Sequence, residues 1–262
     1  MKVLFFLRGL ILTVWFFFHT MLCAITMLLG TQFIADRRFA DFVIGTLWAR
    51  PVLWQANIQV EMRGFANWPS EQGCLVLFNH TSWMDIIVLS ACLPRTPRFG
   101  AKIELFYIPF FGRAMRRAGM LPIERQRRNK VLQVYKDAEA RAKGECFALA
   151  PEGTRQEGLQ LGRFKQGPFL FSIGAQIPVV PVVIAGAQEV MPRSTWLINP
   201  ATWKSRVIGQ ILPAVSSQGM DESKIADMQE SVRAMMVPAY ERMNQELGLL
   251  SESHMHAKLG LV

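Results

Sequence analysis

An α/β layered domain, with a largely parallel central sheet flanked by helices and an N-terminal membrane-associated helix pair in front of it, is the fold this sequence predicts. Three observations point there. From Asn57 onward, short apolar runs alternate with helix-like windows, the pattern of a parallel sheet covered by helices. A 22-residue apolar stretch, Gly9 to Gly30, precedes them. The polar motifs follow apolar runs directly, and open α/β sheets collect their ligands at the carboxyl ends of strands.

The first segment, residues 1–56, carries most of the apolar excess in a chain that is 51% hydrophobic with a mean hydropathy of +0.19. Its run GLILTVWFFFHTMLCAITMLLG is interrupted only by His19 and small hydroxyl groups, and roughly 20 residues suffice to cross a bilayer. Lys2 and Arg8 precede it as in a signal peptide, but no Ala-x-Ala site closes it and the apolar core is too long for one. The next apolar stretch, Phe39 to Trp54, contains Asp41, Arg50 and Pro51. An arginine at mid-bilayer costs at least ~2.5 kcal/mol, so this stretch reads as interfacial. Two helices that enter one leaflet and return, with Trp48 and Trp54 at headgroup level, fit as well as one span followed by an amphipathic helix. Lys2 and Arg8 on one side against Arg37, Arg38, Arg50 and Arg63 on the other favour a body on the cytoplasmic side.

The body, residues 57–250, reads as strands at IQVEM, CLVLF, RFGAK, MLPIE, CFALA, PVVPVVIA and RVIGQIL. Helices are expected between them over residues 82–92, 106–118, 127–143 and 167–174, with a last one over 223–245. The tail, residues 251–262 with His254 and His256, reads as flexible. Cys23, Cys74, Cys92 and Cys146 are far apart and lack CxxC spacing, as reduced, buried cysteines do. A formal charge of +9 suits an anionic partner: nucleic acid, an acidic lipid surface or a phosphorylated substrate. The basic residues form only short clusters, Arg116-Arg117 and Arg125 to Lys130, without interleaved aromatics, which disfavours nucleic acid.

After CLVLF comes Asn79-His80-Thr81-Ser82-Trp83-Met84-Asp85. Ser82-x-x-Asp85 is close to a helix-start capping pattern, worth about 1 kcal/mol with no chemistry attached. His80 lies before that cap, outside the helix. On one helical face a separation of five places side chains ~140° apart, whereas across a strand-to-helix turn the two can meet. A neutral imidazole held by a carboxylate has a fixed tautomer and a stabilised imidazolium, which makes it a general base for a hydroxyl. No GxSxG accompanies the pair, so direct attack by the substrate hydroxyl is favoured over a covalent acyl-enzyme. Backbone amides near the helix start are the candidate oxyanion donors. No metal is expected, because His19, His254 and His256 lie in the apolar segment and the tail.

Pro151-Glu152-Gly153-Thr154-Arg155 follows CFALA and offers a glycine, a hydroxyl and a guanidinium to an anionic oxygen, though a plain surface turn would look the same. Arg125 ends GMLPIER and brings a second guanidinium toward the same edge.

Together these stretches resemble the bacterial 1-acylglycerol-3-phosphate O-acyltransferases of the glycerolipid acyltransferase family. NHTSWMD is similar to the family's NHxxxxD motif, GMLPIER to its second motif, PEGTR to its EGTR motif and VVPVVI, Val179 to Ile184, to its fourth. The resemblance implies His80 as base and Asp85 as its partner. It implies Arg125, Glu152, Gly153, Thr154 and Arg155 as the site for the acceptor's glycerol phosphate. Lys102 matches a recurrent family lysine and is a further phosphate contact, and Lys165 and Gly167 support the pocket. It implies no cofactor, acyl-CoA or acyl carrier protein as thioester donor, lysophosphatidic acid as acceptor, a membrane lipid bilayer as partner, no nucleic acid, and a place at the cell inner membrane. Ala150, Gln156 and Glu124 depart from the family's usual phenylalanine, serine and aspartate and bear on chain length and acceptor. Other acceptors remain open: another lysophospholipid, glycerol 3-phosphate or a lyso-aminolipid. So does a non-catalytic basic membrane-surface binding protein.

Overall fold

The computed structural model describes residues 2–34, 36–69, 73–199 and 202–250; the tail expected to be flexible, 251–262, lies outside them. The chain opens with α1 (Lys2–Phe33), of which Val3–Phe33 has a mean hydropathy of 1.9. One stripe of α1, including Ile11, Val14, Phe18, Leu22, Leu29 and Phe33, is exposed at the three- and four-residue spacing of a single helical face. A helical return follows: α2 (Arg37–Asp41), a π-helical stretch (Phe42–Ala49) and α3 (Arg50–Gln55). Pro51 has no N–H to donate back into this turn, and the carbonyl of Leu47 is bonded by His19 Nε2 of α1 at 2.9 Å. Trp48 is half-buried and donates to Thr20 Oγ1 at 2.9 Å, inside the helix pair, whereas Trp54 is 79% exposed.

The seven strands are β1 (Ile58–Arg63), β2 (Cys74–Phe78), β3 (Arg98–Lys102), β4 (Leu121–Ile123), β5 (Cys146–Leu149), β6 (Val179–Ala185) and β7 (Ser205–Ile211), in sheet order β1-β7-β6-β2-β5-β3-β4. All neighbours run parallel except β6 and β7. Every residue of β2, β5 and β6 is buried, which explains why they read as unbroken apolar runs. One face packs against the helix pair, α4 (Met84–Cys92) and the short α8 (Ala187–Val190). The other packs against α6 (Arg128–Ala142), α7 (Gly167–Ala175) and α9 (Ile225–Glu246).

The helix expected over 106–118 is split. A 3-10 turn covers Ile103–Tyr107 and α5 spans only Phe111–Arg117, because Pro109 disfavours helix at the residue before it and Phe110 takes a positive φ of 61°. The helix pair is fastened to the body by ion pairs of Arg37 with Glu145 and of Asp41 with the buried Arg98 at 2.7 Å. Since β2 to β6 are mutually parallel, their carboxyl ends share one edge, and the polar motifs meet there.

Candidate active site

Where β2 leaves the sheet, the side chain of Asn79 continues its pairing with β6. Asn79 is fully buried; its Nδ2 donates to Ile184 O at 2.9 Å and its Oδ1 accepts from Ile184 N at 2.7 Å. His80, the next residue, is thereby fixed relative to two strands. Its Nδ1 lies 2.9 Å from Asp85 Oδ2, and the same oxygen accepts from Thr81 N at 2.7 Å and Ser82 N at 2.8 Å. One carboxylate oxygen therefore both ties the turn before α4 and holds the imidazole nitrogen, a contact compatible with either reading of Asp85. With the proton on Nδ1 facing Asp85, the neutral ring presents Nε2 as acceptor. The Thr81 and Ser82 amides are occupied by Asp85 and drop out as oxyanion donors.

The PEGTR loop after β5 is tied to the same turn. Gln156 N donates to His80 O at 2.7 Å. Glu152 is turned inward: it is 4% exposed, and its Oε2 accepts from His80 N and its Oε1 from Gly162 N, each at 2.9 Å. Gly153 takes a positive φ of 74°, and a Cβ there would stand 2.8 Å from Lys165 Nζ. Thr154 is exposed. Arg155 places its guanidinium 5.5 Å from the ring centre of Trp83. Burial, then neighbouring Arg193, lowers its pKa, which marks a cation short of anionic partners.

Arg125 stands just beyond β4, its pKa also lowered by burial, with no hydrogen bond or ion pair among the described residues. Lys102 ends β3 and pairs with Glu104 at 3.1 Å; it does not line the cavity. That cavity, of about 800 Å³, lies between the sheet edge and α6 and α7. His80, Arg125, Glu152, Gly153, Lys165 and Gly167 line it, together with apolar groups such as Phe78, Ile123 and Leu149. Among the described residues no group of acidic, histidine or cysteine side chains is placed to hold a metal.

Residues 59–185 match the family described as Acyltransferase. Over 229 residues the chain is 31% identical to the 1-acyl-sn-glycerol-3-phosphate acyltransferase of Pseudomonas aeruginosa, a match covering 83% of this chain and 86% of that one. The chain belongs to this acyltransferase family. A chloroplastic relative from Brassica napus is 34% identical over 158 residues, 60% of this chain but only 45% of the relative. The crystal structure of the 1-acyl-sn-glycerophosphate acyltransferase from Thermotoga maritima has the same fold, with a TM-score of 0.76 at 23% identity, covering 93% of this chain and 98% of that one.

In this acyltransferase, Asn79 and the inward role of Glu152 escape sequence reasoning, because both depend on partners distant along the chain. Burial pushes the Glu152 carboxyl up to about 7 from an ordinary 4.5, while its two backbone donors pull it down. A raised folded-state pKa contributes stability that is complete below the unfolded value and lost as pH rises through the folded one. The stability of the parent relative to Glu152→Gln is therefore expected to fall between pH 4.5 and about 7, by up to about 3 kcal/mol. Paired melting curves across that range check this; a constant difference would show that Glu152 does not titrate there.

Proposed function

We infer that this acyltransferase moves a fatty acyl chain from acyl-CoA or acyl carrier protein to the sn-2 hydroxyl of lysophosphatidic acid, giving phosphatidic acid. The observation that carries the reading is the 2.9 Å His80–Asp85 contact at the mouth of a cavity that also presents Arg125. His80 Nε2 takes the hydroxyl proton, and Asp85 stabilises the imidazolium. The substrate oxygen forms a C–O bond to the thioester carbonyl carbon. The tetrahedral adduct then expels the thiolate, which leaves as a thiol with the proton from His80. Arg125 and Arg155 hold the acceptor's phosphate and turn a two-body encounter into an oriented one.

The exposed apolar stripe of α1 supports insertion of the helix pair into the inner membrane, since so long an apolar face is stable only when covered. Arg8, over the ring of Trp203 at 4.6 Å, and Trp54 then lie at the interface, with the body on the cytoplasmic side.

The test is thiol release by the purified full chain in mixed micelles with lysophosphatidic acid, other lyso-lipids or glycerol 3-phosphate as acceptor. Turnover on lysophosphatidic acid is expected, with Arg155→Ala raising its KM by about 10-fold or more, since a charge-assisted hydrogen bond contributes ~1.5–3 kcal/mol. Turnover on a phosphate-free acceptor alone would overturn the acceptor assignment. Unchanged KM and kcat in Arg155→Ala would remove its phosphate grip.

A further inference from the structure

Both substrates of the proposed reaction carry phosphate, and the chain presents cations on two sides of His80. On one side Arg155 lies over Trp83, Trp83 tilts against Trp196 with ring centres 6.0 Å apart, and Trp196 against Phe17 of α1 at 6.2 Å. That aromatic path leads from the apolar helix to Arg155, the direction from which a lipid acceptor arrives. On the other side, Arg128 in the first turn of α6, Arg163 and Lys165 line the cavity with His80. This cavity opens at the carboxyl edge of the sheet, against α6 and α7, which pack on the face opposite the helix pair.

Arg128, Arg163 and Lys165 are all exposed, and none has a carboxylate partner among the described residues. Elsewhere many cations are paired: Arg63 and Arg206 with Glu246, and Arg127 and Lys130 with Glu124. α6 has no acidic residue in its first turn and no side-chain cap, so Arg128 faces the positive end of its own helix dipole with no protein anion between them. Lys165 lies along Gly153, where a Cβ would stand 2.8 Å from its Nζ, so its ammonium is carried next to the turn that holds His80.

The geometry points to a donor subsite: Arg128, Arg163 and Lys165 bind the phosphate of the phosphopantetheine arm, leaving Arg155 and Arg125, which lines the same cavity, to the acceptor. This rests on the acyl-transfer reading above. Acyl-CoA and acyl carrier protein present the same phosphate chemistry, whereas an N-acetylcysteamine thioester of the same acyl chain presents none. The cavity's apolar lining accommodates the acyl end of all three.

The experiment is steady-state thiol release by the full chain and its Arg128→Gln/Arg163→Gln double variant with those three donors and lysophosphatidic acid. The KM for acyl-CoA, acyl carrier protein or both is expected to rise about 10-fold or more, and whichever donor responds identifies the source of the phosphate. The KM for lysophosphatidic acid and the rate with the truncated thioester should move less than about 2-fold, and the double lysine variant should recover most of the loss. An increase confined to the acceptor KM, or an equal loss with the truncated thioester, overturns the donor subsite. If the parent turns over no acceptor, the acyl-transfer reading fails separately. Equilibrium dialysis with coenzyme A then decides the subsite, tighter binding by the parent supporting it and equal binding overturning it.

Discussion

Replacing His80 by alanine is expected to lower kcat for thioester turnover by about 10³-fold, within the ~10² to 10⁴ that a positioned general base contributes. KM should change little, because His80 Nε2 engages the hydroxyl mainly as its proton leaves. Asp85→Asn is the sharper variant. Its amide oxygen can take the place of Oδ2 and still accept from Thr81 N, Ser82 N and His80 Nδ1, the three contacts now made at 2.7 to 2.9 Å. Its NH₂ would then occupy the position of Oδ1, which has no partner among the described residues. Geometry is kept, while the negative charge that stabilises the imidazolium is lost. A fall in kcat of about 10²-fold or more at near-parent melting temperature is therefore expected. Thiol-release kinetics beside a thermal melt check both variants. Turnover surviving in His80→Ala would remove the base assignment, and full activity in Asp85→Asn would reduce Asp85 to a turn-former.

The parts of the fold that were legible are those whose pattern is local. β2, β5 and β6 are buried on both faces, so burial alone writes them as apolar runs. The His80–Asp85 pair was legible because both residues sit within one strand-to-helix turn. The inward turn of Glu152 was not legible, because a carboxylate inside a polar loop looks solvent-facing. Its partners, the amides of His80 and Gly162, are brought to it only by the sheet. The antiparallel pairing of β7 with β6 leaves no mark in sequence, since both strands have the same composition in either direction. The split before α5 was marked by Pro109, whose effect on the preceding turn was overlooked. Trp196 could not be foreseen beside Trp83, because the loop that carries it is placed by packing against α1.

Asn79→Ala is expected to combine a large stability loss with a kinetic one. The variant strips Ile184 N and Ile184 O of their side-chain partners in a strand whose every residue is buried. An unsatisfied buried polar group costs about 1–3 kcal/mol, so the two together amount to roughly 2–6 kcal/mol, or a melting point lower by roughly 5–15 °C. Asn79→Asp retains the acceptor for Ile184 N but sets a carboxylate oxygen against Ile184 O, so it should be no more stable than the alanine variant. Because His80 is the next residue along the chain, a loosened Asn79 shifts the proposed base itself, and displacement of a catalytic group by about 1 Å can cost ~10² in rate. Melting curves with kcat measured well below the transition separate the two effects. A lowered melting point with unchanged kcat would mean that Asp85 and Glu152 hold His80 without help from β6. A parent-like melting point would show that the Asn79–Ile184 bridge contributes nothing, and the β2–β6 junction would then have to be held by backbone pairing alone.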